Sequence, residues 1–309
     1  MQVLLFFAVG IFAVSCTGQN SVNQRSTADD ENAYPALWDS LSTIAEDALG
    51  EVGIAVIVDG KDTVTVNDAD IYPLMSVFKL HQAVALCHEL ESRGVAIDTV
   101  LNINQSELNP DTWSPMLKDY TEESFSLSVR KLMEYTLQQS DNNASNLMFR
   151  HLASVAVTDS FISTLLPRDG FRIAVSEAEM QQDHSLCYAN HSSPLSAAIL
   201  LERLFNDSIL SAANQRFVCT ALRNCKTGVD RISAPLVHEE GVTIAHKTGS
   251  GYRNENGELI AHNDAAYIML PDGRHYTIVV FVKDFLGNER EASELISRIS
   301  AQTYRCIAG

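Results

Sequence analysis

Along the chain the spacing of apolar residues switches from helical to alternating and back again. Residues 34–49 (YPALWDSLSTIAEDAL) carry apolar side chains three and four apart, which predicts an amphipathic helix. Residues 52–58 are apolar and β-branched, Gly60 supplies a turn, and 63–66 read as a second short strand. From Pro73 to Cys225 the helical spacing returns, most clearly over 80–90, 127–137, 143–152, 195–205 and 210–222. After Gly241 strands resume at 242–246, 265–270 and 276–282, the last two joined by the turn Pro271-Asp272-Gly273. A helical stretch over 289–304 closes the pattern.

This order predicts an α+β fold. Strands from both ends of the domain pair in one antiparallel sheet, flanked by the N- and C-terminal helices, and the helical block is an inserted all-α subdomain. Within a domain over 35–309, residues 35–73 and 227–309 form the α/β part and 74–226 the insertion. The cleft between sheet and block is where a ligand is expected.

Residues 2–14 (QVLLFFAVGIFAV) are almost wholly apolar. They are too few for a spanning helix of about 20 residues, but suit the apolar part of a signal peptide. Ser15-Cys16 follows, a small residue directly before Cys, the pattern that bacterial lipoprotein signal peptidase cleaves. Residues 1–15 therefore read as a signal peptide, Cys16 as a lipidation site and the polar stretch 16–34 as a tether. An ordinary cleaved signal with Cys16 incidental is the alternative. Either way the protein is expected to be exported to a bacterial periplasm, touching a membrane only through such an anchor.

Composition narrows the partners. Of 309 residues, 46% are hydrophobic and 20% charged, as in a globular domain with a core. The 39 acidic against 22 basic residues give −17, and no run of Lys or Arg offsets it, so no nucleic acid is expected. Cysteines stand at 16, 87, 187, 219, 225 and 306 without a C-x-x-C, and no H-x-H or H-E-x-x-H occurs. No metal and no cofactor are expected. Cys219 and Cys225 read as parts of one helix, where a bridge would be strained.

Candidate chemistry comes from three short motifs. Ser76-Val77-Phe78-Lys79 stands where a helix begins, with hydroxyl and amine on one face. A buried Lys with a lowered pKa can take the proton of such a serine. A second S-x-x-K spans Ser128 to Lys131, and for either copy an ordinary helix-surface pair is the plain reading. Ser140-Asp141-Asn142 lies between two helical patterns and, alone, reads as a helix cap. Lys-Thr-Gly occurs twice. Lys226-Thr227-Gly228 reads as a structural helix end with Gly left-handed, and Lys247-Thr248-Gly249 as a strand beside the cleft.

The ordered set S-x-x-K, S-D-N, K-T-G is far more specific than any member, and is that of class A β-lactamases and penicillin-binding proteins. Over about 34–307 the chain resembles a class A serine β-lactamase and looks most like the cephalosporinase branch found in gut anaerobes, by SVFK, SDNNA, TGVDRI and HKTGSG. The resemblance implies roles residue by residue. Ser76 would be the acylated nucleophile, Lys79 its proton acceptor and Ser140 the donor to the departing lactam nitrogen. Asn142 would hold the substrate's acylamino side chain, and Lys247, Thr248 and Ser250 its carboxylate, while the backbone N–H groups of Ser76 and Ser250 form the oxyanion hole. Arg231 matches an arginine that supplies carboxylate-binding charge in some members, with a surface arginine as the plain reading. Trp113 matches an aromatic gate at the cleft mouth, with a half-buried core Trp as the plain reading.

A deacylating glutamate separates a β-lactamase from a DD-peptidase or a non-hydrolysing penicillin-binding sensor. In Ser176-Glu177-Ala178-Glu179-Met180-Gln181 it falls on Glu177, with Glu179 the rival. Gln181 replaces the family's Asn, and Asn190 stands where many members have the Asp of a loop-clamping ion pair, implying a rearranged but unbroken loop. The expected activity is hydrolysis of β-lactams, cephalosporins and penicillins among them, by a monomer.

Overall fold

A computed structural model describes residues 34–309; the expected signal peptide, tether and Cys16 lie outside the described residues. In chain order come α1 (Pro35–Glu46), β1 (Glu51–Val58), β2 (Asp62–Val66), β3 (Tyr72–Pro73) and α2 (Phe78–Ser92). Then follow β4 (Val100–Asn104), α3 (Met116–Asp119), β5 (Ser124–Ser128), α4 (Val129–Gln138), α5 (Asn142–His151) and α6 (Val155–Ile162). Next are β6 (Phe171–Arg172), α7 (Glu177–Gln182), β7 (His191–Ser192), α8 (Pro194–Asn206) and α9 (Ala212–Arg223). The last are β8 (Thr243–Ser250), β9 (Leu259–Met269), β10 (His275–Phe285) and α10 (Glu289–Ala308).

The main sheet runs β2-β1-β10-β9-β8, with every neighbouring pair antiparallel. Alternation along each strand sends residues to two different cores. Val52, Ile54, Val56 and Val58 of β1 join Tyr276, Ile278, Val280 and Val282 of β10 against Leu37 and Leu41 of α1 and Ile296 and Ile299 of α10. Ala55, Ile57, Val279 and Phe281 face the other way, into the core of the helical block. Because both faces are covered, β1 and β10 read as unbroken apolar runs. The α+β architecture expected from the order of elements is present.

The inserted block departs from all-α in two places. Strands β4 and β5 pair as a two-stranded sheet, and β3, β7 and β6 form a three-stranded one. The helix read over 127–137 accordingly begins at Val129, after Ser128, whose hydroxyl accepts from the Lys131 amide at 3.2 Å. That bond makes the second S-x-x-K a helix cap. Strand β9 starts at Leu259, not at 265, because His262, Asn263 and Asp264 are polar yet almost fully buried. Cys225 lies beyond the end of α9, outside the helix expected to hold it, and Cys87, Cys187, Cys219, Cys225 and Cys306 are all free thiols.

Candidate active site

Ser76 sits in a short 3-10 turn, Met75–Val77, that leads directly into α2. Met75 has a φ of 44°, so the nucleophile follows a residue in the left-handed region, a conformation that costs energy for a non-glycine. Strand β8 runs close by. A Cβ on Gly249 would lie 2.5 Å from the Leu74 carbonyl oxygen and 3.2 Å from the Ser76 nitrogen, so only glycine lets the strand approach the nucleophile's backbone.

One helical turn on, Lys79 is completely buried among oxygens. Its ammonium donates to Ser76 Oγ at 3.0 Å, to the Ser140 carbonyl at 2.8 Å and to Asn142 Oδ1 at 2.6 Å. It also pairs with Glu177 Oε1 at 2.8 Å. The Ser76 hydroxyl donates to the same carboxylate oxygen at 3.0 Å. Serine, lysine and glutamate thus meet within hydrogen-bond reach of one another, the geometry that proton transfer at a nucleophile requires.

Both readings of Ser140-Asp141-Asn142 apply, to different residues. Asp141 caps α5, its carboxylate accepting from the amides of Ala144 at 2.9 Å and Met116 at 2.8 Å and from the Ser114 hydroxyl. Burial nevertheless pushes its carboxyl above the usual carboxylate range. Ser140, at φ 58°, is the strained residue that turns into the cleft. Its hydroxyl lies 3.5 Å from Lys79 Nζ and accepts from Lys247 Nζ at 3.0 Å. Asn142 opens α5, and its amide donates to Thr112 Oγ1 at 2.9 Å.

Glu177 and Glu179 point to different tasks. Glu179 closes a capping box at the start of α7, its Oε2 accepting from the Ser176 amide at 2.8 Å and hydroxyl at 2.7 Å. Glu177, the first residue of the same helix, is the one buried against Ser76 and Lys79. Gln181 turns away from the nucleophile: its amide donates to the Asp111 carbonyl at 3.0 Å and accepts from Asn109 Nδ2 at 2.9 Å. Asn190 holds the preceding loop without a charge. Its Oδ1 accepts from the Ala174 and Val175 amides at 2.7 and 3.0 Å, and its Nδ2 donates to the Val175 carbonyl at 2.8 Å.

The other end of the cleft is cationic. Lys247 is fully buried and donates to Ser140 Oγ and, at 2.8 Å, to the Thr248 carbonyl. Burial and then the Lys79 charge lower its pKa to about 7. Arg231 is buried too, so the surface-arginine reading fails. Its guanidinium donates to the carbonyls of Gly249 at 3.1 Å and Asn263 at 2.7 Å and to Ser250 Oγ at 2.6 Å. Trp113 is 63% exposed at the cleft mouth, not in a core, with its indole N–H on the Gln139 carbonyl at 2.9 Å.

A cavity of about 420 Å³ is lined by Ser76, Trp113, Ser140, Asn142, Glu177, Arg231, Thr248 and Ser250. Thr227 lines it as well, which the sequence reading missed by assigning its Lys-Thr-Gly a structural role. Its hydroxyl is 2.6 Å from that of Thr248, and Gly228 beside it has φ 65° and leaves no room for a Cβ against the Thr248 methyl. The duplicated motif was the available signal. Tyr252, at the same mouth, stacks on His184 with ring centres 3.7 Å apart, a pairing that no sequence spacing suggests.

Residues 36–307 match the family model described as the β-lactamase enzyme family. The chain is 57% identical to a β-lactamase of Phocaeicola vulgatus over 285 residues, which are 91% of this chain and 89% of that one. Its fold superposes on the crystal structure of the TLA-3 extended-spectrum β-lactamase with a TM-score of 0.85 at 28% identity, covering 89% of this chain and 100% of that one. A representative class A β-lactamase from Bacteroides cellulosilyticus gives 0.83 at 25% identity, with 89% and 99% covered.

Proposed function

The chain belongs to the class A β-lactamase family and is an enzyme of β-lactam hydrolysis and antibiotic resistance; from that premise we propose that cephalosporins and penicillins are its substrates and that Ser76 carries the acyl group. The observation that carries this reading is Glu177, whose Oε1 lies 3.0 Å from the Ser76 hydroxyl and 2.8 Å from Lys79 Nζ. A carboxylate there can activate water against an ester on Ser76, the step that a peptidase or sensor lacks.

In the proposed sequence Lys79 first passes a proton to the Glu177 carboxylate it contacts, then takes the Ser76 proton as the oxygen attacks the lactam carbonyl. It recovers its own proton from Glu177 once it has relayed the serine's to Ser140. The C–N bond breaks, and the Ser140 hydroxyl protonates the leaving nitrogen. Lys79, 3.5 Å from Ser140 Oγ, returns to it the proton taken from Ser76. Glu177 then accepts a proton from water, which attacks the ester carbonyl and releases Ser76. Lys247, Arg231, Thr248 and Ser250 receive the substrate carboxylate: in Ser250, Oγ already accepts from Arg231, leaving its O–H free to donate.

Hydrolysis of a β-lactam panel by purified enzyme tests the reading. Rapid turnover supports it, cleavage of a D-Ala-D-Ala peptide would replace it with a DD-peptidase, and a stoichiometric trapped adduct would replace it with a sensor. For location we infer export with lipidation at Cys16, supported by the Ser15-Cys16 pattern. Labelled palmitate should enter the wild type and be blocked by Cys16→Ser, whereas a soluble periplasmic product cut by ordinary signal peptidase overturns it.

A further inference from the structure

Lys247 and its neighbours on β8 face opposite ways. Lys247 reaches Ser140 on the helical block, whereas the His246 side chain turns to Asp264 of β9, the residue paired with Thr248 in the sheet. His246 Nδ1 is 3.0 and 3.2 Å from the two Asp264 oxygens, and Asp264 Oδ2 also accepts from the Ile232 amide at 3.2 Å, next to Arg231. The carboxylate is fully buried and the imidazole nearly so. Past the end of α9, Cys225 lies against His246, and its Sγ is 3.4 Å from Thr227 Oγ1, which in turn touches Thr248 Oγ1 at 2.6 Å. None of Cys225, His246 or Asp264 has a part in the acylation chemistry described above.

Resting on the β-lactamase reading, we propose that Asp264, His246 and Cys225 are positioning residues that keep Lys247 protonated for the substrate carboxylate. Asp264 fixes the imidazole and favours its charged form; the imidazolium favours a thiolate on Cys225; the thiolate favours the ammonium on Lys247. Charges therefore alternate along this cluster toward a cation that makes no ion pair of its own among the described residues.

The direction of each group's titration agrees with this order. Burial alone would lower His246, but Asp264 and then Cys225 lift it to about 10. Burial would raise the Cys225 thiol, but His246 first, then Lys247 and the Thr227 hydroxyl, bring it down to about 7. Around Lys247, Lys79 of α2 opposes the charged form, while Cys225, Glu177 of α7 and Asp264 support it. Arg231, facing the same cleft, is influenced by Asp264, Asp230, Glu289 and Cys225.

The test is the alkaline limb of kcat/KM for a chromogenic cephalosporin bearing its free carboxylate. Cys225→Ser should match wild type near pH 6, where the thiol is neutral, and fall roughly threefold or more below it near pH 8, through KM and not kcat. Cys225→Asp, which restores an anion, should return the limb toward wild type, and the carboxylate methyl ester should show no such limb. The thiolate itself is read as an ultraviolet difference spectrum between wild type and Cys225→Ser, half-formed near pH 7 and moved to higher pH in His246→Gln. An unmoved limb in Cys225→Ser with normal hydrolysis overturns the positioning role alone, as does a thiolate that forms only in strong alkali. Absence of hydrolysis in wild type would overturn the β-lactamase reading itself.

Discussion

The two ends of the cleft solve the problem of a buried lysine in opposite ways. At the acylation end, Lys79 is given a carboxylate, a carbonyl, an amide oxygen and a hydroxyl within 3.0 Å. At the recognition end, every hydrogen bond that Lys247 and Arg231 donate among the described residues goes to a neutral oxygen. A buried cation without an anion is costly, and the cost falls when an anion arrives. The first end is complete before substrate binds; the second is completed by the substrate's carboxylate. Chemistry is thus prepared in advance, while recognition is stored as unmet electrostatic demand.

Ser76→Ala breaks the first end outright. Covalent labelling by a fluorescent penicillin should vanish, whereas Ser128→Ala, which removes only a helix cap, should label normally. Glu177→Gln sharpens the contrast within that end. Acylation should proceed, but loss of the general base should slow deacylation about 10²–10⁴-fold, leaving an adduct visible by intact-protein mass spectrometry. Glu179→Gln, two residues away, should turn over normally, because Glu179 is occupied in capping α7. A trapped adduct in Glu179→Gln and not in Glu177→Gln would reverse the assignment.

The recognition end should instead respond to pH. Free Lys247 titrates near pH 7, and a bound carboxylate favours its protonated form. Binding above that pH must therefore take up a proton, so KM for carboxylate-bearing substrates should rise by up to about tenfold per pH unit while kcat stays level. A KM that is flat across this range would show that Lys247 stays charged before the substrate carboxylate arrives. Ser250→Ala should have the smallest effect, about 1–2 kcal/mol of kcat/KM on cephalosporins, for one hydrogen bond to the substrate. Equal efficiency of wild type and variant would remove Ser250 from carboxylate recognition.

The same division governs what could be read from the sequence. Apolar alternation announces β1 and β10, whose side chains simply fill the two cores. It hides the first half of β9, where His262, Asn263 and Asp264 look like loop but are buried with polar partners: Ser293, the Pro73 carbonyl and His246. The motifs point to Ser76, Lys79, Ser140 and Lys247 because their chemistry is tied to fixed local spacing. Thr227, Cys225 and the His184–Tyr252 stack enter the site region only through contacts between distant segments, which no local pattern records. Arg231 could be read either way until its burial was known, since a guanidinium in a loop looks the same whether it meets solvent or three oxygens.

Asn190 has a consequence for the conditions under which the enzyme works. A guanidinium–carboxylate clamp weakens as salt screens it and fails as acid protonates it. At its Asn190 end this loop is fastened by amide groups, which neither titrate nor respond to ionic strength. Brine and mild acid should therefore leave that fastening intact, so a loop loosened under those conditions would have to yield first elsewhere, as where the Asp159 carboxylate accepts from the Ile173 amide.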